Sequence, residues 1–287
     1  MMRIQILKPF VALSLTVLTV ACGGDRKELE NTGSDTMFEV ANALAQAYHD
    51  KHPEVAISVS GGGSARGIAE MIAGTLELAN SSRKLKDKEI EDAKKHGVTP
   101  VEHMIGYDGI AIYVHKDNPL PSITLDQLKE LFGDGGKLAK WSQLGVEMKD
   151  ADPIVLASRS NNSGTYEYFR EHVLGGDKGR FKAECNNLNG SKDVVDFCAK
   201  TKSAIGYSGI AYATKDVRIV PVLDKNGAPV APSAATVLEG SYPISRPLFM
   251  YTNGQPRELV KHYLEWILSD EGQRVLVATG YVPVRKI

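Results

Sequence analysis

In the stretch RSNNSGTYEYF, residues 159–169, Arg159 stands four positions ahead of Ser163, Gly164 and Thr165. A guanidinium stays charged at any physiological pH and presents a planar fork of donors that matches an oxyanion. The first turn of a helix adds unpaired N–H groups and the positive end of its dipole. Hydroxyls supply further donors, and glycine lets the backbone approach a ligand closely. Two other stretches share this design: GSDTM at 33–37, with Thr36 and Met37, and GGGSARG at 61–67, with Ser64. Any one of them is explained by ordinary helix capping, and a lone arginine by a surface ion pair. Three in one chain, one led by Arg159, point instead to a pocket for a small anion.

Other chemistries fail on spacing. Gly62 and Gly67 are five apart, as in a Walker loop, but Ile68 and Ala69 take the Lys and Ser/Thr positions. Arg66 interrupts the dinucleotide-binding glycine pattern. GGSAR and GYSGI lack the closing glycine of a nucleophile elbow. His49 and His52 share a predicted helix without a third ligand, so a solvated helix end is expected there and no metal. Glu89, Glu91 and Asp92, within KLKDKEIEDAKK, read as a solvent-facing helix of mixed charge. No cofactor is expected.

The elements that must position these groups begin after an export signal. Residues 1–21 carry Arg3, Lys8 and the apolar run FVALSLTVLTVA, about twelve residues long and short of the roughly twenty needed to span a bilayer. Cys22 follows directly and resembles a lipoprotein processing site, although Thr19 stands where such sites usually have Leu. Without residues 1–21 the chain has 32 Lys and Arg against 35 Asp and Glu, a net of −3, which argues against a nucleic-acid partner. Residues 22–27 are expected to be a tether, and the whole polar stretch GDRKELENTG reads the same way. Beyond it, helical spacing over 36–51 is followed by a strand at VAISVS. Further strands are predicted at GIAIYV, PIVLAS and AIGYSGIAYA, and helices at TLDQLKELF, DVVDFCAK and PRELVKHYLEWILS. Thr124 and Gln127 have capping-box spacing. This alternation predicts an α/β fold with mainly parallel sheets. In an exported chain Cys185 and Cys198 most simply form a disulfide, with free thiols as the alternative.

Taken in order, GSDTM, GGGSARGI, SSRKLK, YDGIAIYVHKDNP, TLDQLKELFGDGGKLAKW, RSNNSGT, AIGYSGIAY and DEGQRVLVATGYVPV resemble the phosphate-binding proteins that serve ATP-driven phosphate importers, a type II solute-binding family. The resemblance implies a monomeric, non-enzymatic, two-lobed clamp with the ligand cleft between lobes. One lobe would hold residues 28–113 and 212–287, the other 114–211. It implies phosphate contacts from Thr36, Met37, Ser64, Ser82, Arg159, Ser163, Gly164 and Thr165. Its partners would be inorganic phosphate, the permease subunits of an ABC importer and, through lipid on Cys22, a bacterial membrane facing the periplasm or the cell surface. Many relatives place Asp at the Ser82 position to accept a proton from phosphate, which excludes sulfate. Here Asp35 or Asp108 would have to take that role. The rival readings are a binding protein for sulfate or molybdate, a phosphatase, and a phosphate sensor.

Overall fold

A computed structural model describes residues 27–149 and 151–287; the segment expected to be an export signal and Cys22 lie outside them. Each predicted strand–helix unit forms. The chain runs β1 (Lys27–Gly33), α1 (Phe38–His49), β2 (Val55–Ser60), α2 (Ser64–Ile72), β3 (Leu78–Ser81), α3 (Asp87–Lys95) and then the long β4 (Pro100–His115). Next come α4 (Leu125–Phe132), β5 (Val155–Arg159), α5 (Gly164–His172), β6 (Asn186–Leu188), α6 (Ser191–Lys200), β7 (Ala204–Gly209) and β8 (Val217–Val220). The short β9 (Val222–Leu223), β10 (Pro229–Val230) and α7 (Ala234–Leu238) lead to β11 (Ser245–Asn253), α8 (Glu258–Leu268) and α9 (Asp270–Ala278).

The strands follow the order β2-β1-β3-β11-β4-β7-β5-β6, with β8 also on β4. Strands that feed helices pair in parallel: β1 with β2 and β3, β5 with β6 and β7. At the centre β4 runs antiparallel to β11 as far as Gly109, and from Ile110 onward antiparallel to β7. Both faces of each half are covered, as buried parallel strands require. In the first lobe Leu29, Ile105 and Met250 pack beneath α1, α8 and α9, while Ala79, Phe249 and Tyr251 pack beneath α2. In the second, Ile110, Ile112, Leu156 and Tyr207 face α4 and α5, while Ala111, Tyr113 and Ala157 face α6.

Four expectations need correction. From Lys27 on, the polar stretch is not a tether: Lys27–Gly33 is β1, laid between β2 and β3, because backbone pairing on both sides compensates for its few apolar side chains, while residues 22–26 lie outside the described residues. The lobe boundaries also move. β4 changes partners at Gly109/Ile110, and Val220, Val222, Val237 and Ile244 pack into the second lobe's core, so the stretch from β8 to α7 belongs there. Cys185 and Cys198 are free and buried. They cannot meet because they sit in clusters on opposite faces of the second lobe's sheet, and burial pushes each thiol up to about 12. Finally, Glu89 faces solvent only in part: it receives both terminal nitrogens of the buried Arg83, at 2.6 and 2.8 Å, and the N–H of Lys86.

Candidate anion-binding site

Three helix beginnings meet where the lobes close. After β1 the chain turns through Ser34–Met37, with the Met37 N–H donating to Ser34 O at 3.0 Å. Tyr212 and Tyr281 donate their hydroxyls to the carbonyl of Thr36, fixing this turn from behind. The Met37 side chain goes into the hydrophobic core, so only its backbone lies at the site. From the facing lobe, Ser163 caps α5 by accepting the Thr165 N–H at 3.1 Å. That is the bland capping role, but it aims the following turn across the cleft.

The predicted residues converge. Thr36 and Thr165 hydroxyls lie 2.7 Å apart although one comes from each lobe. The Ser82 N–H donates to Ser64 Oγ at 3.1 Å, and Ser34 Oγ donates to Ser82 Oγ at 2.9 Å. Gly164 presses against Ser64 and Ser82 so closely that a Cβ there would collide with both hydroxyls. Thr36, Ser64, Ser82, Arg159, Ser163 and Thr165 are at most 2 % exposed. Hydroxyls thus crowd around a buried cation rather than capping separate helices at the surface.

Arg159 donates through Nη1 to Ser191 Oγ at 2.8 Å and through Nη2 to Asn189 O at 2.7 Å. Ser191 Oγ lies 3.4 Å from Thr36 Oγ1, so the guanidinium is one hydroxyl away from the Thr36–Thr165 pair. Burial pulls the Arg159 pKa down, opposed by Asp35, whose Oδ2 is 3.3 Å away. Asp35 also accepts the Gly62 N–H through Oδ1 at 2.8 Å.

Sequence reasoning missed Ser34, Ser191 and, above all, Arg246. This second arginine is fully buried and donates from Nε and Nη2 to Asp108 Oδ2, at 3.3 and 3.0 Å. Burial raises the Asp108 pKa even though Arg246 pulls it down. The Ile210 N–H lies near enough to lower it further, yet Asp108 Oδ1 makes no bond of ordinary geometry. One signal was available: a charged residue opening the apolar run PLFMY must find a buried partner.

Elsewhere, His49 Nδ1 is 2.7 Å from Val55 O, and His52 stacks on Tyr48. Among the described residues no group of three or more His, Cys, Asp and Glu is placed to hold a metal, and no helix is long and apolar enough to cross a membrane.

Comparison with known proteins fits this geometry. Residues 21–271 match the family model of the PBP superfamily domain. The phosphate-binding protein PstS of Pseudomonas aeruginosa is 35 % identical over 89 % of this chain and 83 % of its own. The chain belongs to the PstS-like phosphate-binding proteins of that superfamily. A PstS of Staphylococcus epidermidis is 32 % identical over 94 % of this chain and 86 % of its own. Among solved structures, a phosphate ABC transporter substrate-binding protein from Clostridium perfringens, with phosphate bound, superposes with a TM-score of 0.80 at 32 % identity, covering 90 % of this chain and all of the other. An ABC-type phosphate transport receptor of Vibrio cholerae shares the two-lobed fold, with a TM-score of 0.71.

Proposed function

We propose that this protein captures inorganic phosphate in the cleft and presents it to the permease subunits of an ABC importer, without catalysing a reaction. The observation that carries the reading is the convergence of three helix N-terminal turns and the buried Arg159 on one hydroxyl cluster spanning both lobes. Thr36, Ser64, Ser82, Ser163 and Thr165 would bind through hydroxyls, Gly164 through its backbone N–H, Met37 through its backbone N–H once released from Ser34 O, and Arg159 through its charge. In a water-excluded cleft such charge-assisted bonds are strong because nothing competes for the donors. Closure completes the shell, and the permease would recognise the closed form.

Ser82 is neutral, so it does not reject sulfate by repulsion. Asp108 is the better candidate for the missing acceptor, because Asp35 already uses both oxygens while Asp108 Oδ1 is open. A proton carried by phosphate would be shared with that carboxylate, and sulfate has none to offer. Cys22 would carry the lipid that holds the exported protein at the membrane, which mass spectrometry of the intact N-terminus tests.

Calorimetry of the mature chain with phosphate, then sulfate, tests the whole reading. Tight phosphate binding with weak sulfate binding is expected; equal affinities would turn the assignment to a general tetrahedral oxyanion, and no heat with phosphate would overturn it.

A further inference from the structure

We propose that Arg246 is a second phosphate-binding guanidinium, set directly against the Thr36–Thr165 hydroxyl pair that Arg159 reaches only through Ser191, and held there by Asp108. The inference rests on reading the cleft as a phosphate site.

An ion pair with Asp108 does not by itself account for the arrangement. Nη2 of Arg246 also reaches Thr165 Oγ1 at 2.8 Å and Thr36 Oγ1 at 3.2 Å, while Nη1 donates to Ser82 O at 3.0 Å. Its donors therefore touch three residues assigned above to the anion: Thr36, Ser82 and Thr165. They do so in both lobes, since Asp108, Ser82 and Thr36 come from the first and Thr165 from the second. Neutral hydroxyls are weak acceptors for a guanidinium compared with an oxyanion. The mutual Thr36–Thr165 bond uses one hydroxyl hydrogen, leaving the other free to turn toward a ligand.

Electrostatics points the same way. Arg159 and Arg246 are both fully buried and close enough that Arg246 lowers the Arg159 pKa. Two buried cations facing one hydroxyl pair repel each other unless negative charge lies between or beside them. Asp35 pairs with Arg159 and Asp108 with Arg246, one carboxylate to each cation. An oxyanion at the hydroxyl pair would supply the charge between.

The test compares the mature wild type with Arg246→Lys and with the double variant Arg246→Met/Asp108→Leu, which removes the buried charges together. Circular dichroism and Tm establish folding, and calorimetry with inorganic phosphate reads affinity. The double variant is expected to bind about thirtyfold or more weakly, with Arg246→Lys in between. A folded double variant within about threefold of wild type would make Arg246 a structural strut and overturn the proposal. Failure of the wild type itself to bind phosphate would sink the underlying reading instead. Should the double variant not fold, arginine side-chain ¹⁵N spectra of the wild type decide. The Arg246 resonances, assigned through Arg246→Lys, must move on adding phosphate along with those of Arg159, and fixed Arg246 resonances refute the idea.

Discussion

Arg159 closes β5 four residues before the Ser163–Thr165 turn, whereas Arg246 is the second residue of β11 and finds partners 81, 138 and 210 positions away, at Thr165, Asp108 and Thr36. Both are buried, but their anchoring differs. Arg159 rests on one hydroxyl, one carbonyl and a carboxylate that is partly exposed. Arg246 rests on a carboxylate as buried as itself, so removing either member strands the other in a dry interior. One corner of the cleft is thus marked by a contiguous motif, although Arg159 itself is held from 30, 32 and 124 positions away, and the other exists only once β4 and β11 have paired.

Breaking the local corner should have the largest effect. Arg159→Met is expected to weaken phosphate binding about a hundredfold or more, read by calorimetry, because the buried anion loses a charged partner. Near-native affinity would remove Arg159 from the site. The distant corner should govern choice of ligand as well as strength. Asp108→Asn is expected to shift the sulfate-to-phosphate affinity ratio about tenfold toward sulfate, measured by competition in thermal shift. An unchanged ratio would assign the acceptor role elsewhere.

Thr165→Val removes the hydroxyl that Arg246 bonds directly and that meets the Arg159 corner only through Thr36, and a loss of about tenfold is expected with little change in Tm. A loss of less than about twofold would mean the corners act independently of it. The smallest effect lies outside both. Lys86, from the first lobe, meets Glu167 of α5 at 2.8 Å across the cleft. Lys86→Met should raise the phosphate off-rate only about threefold, as a half-exposed pair allows. Burial raises the Glu167 pKa, but the bonds to Lys86 and Arg170 outweigh it and hold it below the usual value. The stabilisation is therefore present above the ordinary glutamate pKa of about 4.3 and lost as pH falls through the depressed one. The Tm difference between wild type and variant should shrink over that acid range, and a constant gap would exclude this pair as its source.

How much could be read beforehand follows the same division. The helices at 38–49 and 125–132, the Thr124–Gln127 capping box and the helix starts at Thr36, Ser64 and Thr165 were legible, because periodicity and cap chemistry are local, whereas Ser82 entered only through the family resemblance. β1 was not, since a polar strand buried by backbone pairing leaves little trace in hydrophobicity. The thiols misled because an even count says nothing about which face of a sheet each occupies. Arg246 was passed over because its partners are brought to it by strand register, in which it lies opposite Asp108.

Gly63 marks one place where closure is tight: its φ of 90° suits glycine, and a side chain there would strike the Asn162 carbonyl of the facing lobe. The opposite boundary condition is set by β4, whose pairing passes from β11 to β7 without an unpaired residue at Gly109/Ile110. A jaw mounted on such a strand cannot swing on slack chain. Opening would have to twist a bonded ribbon, and Asp108 and Arg246 are paired beside its switch point, where such a twist would change the spacing of two charges.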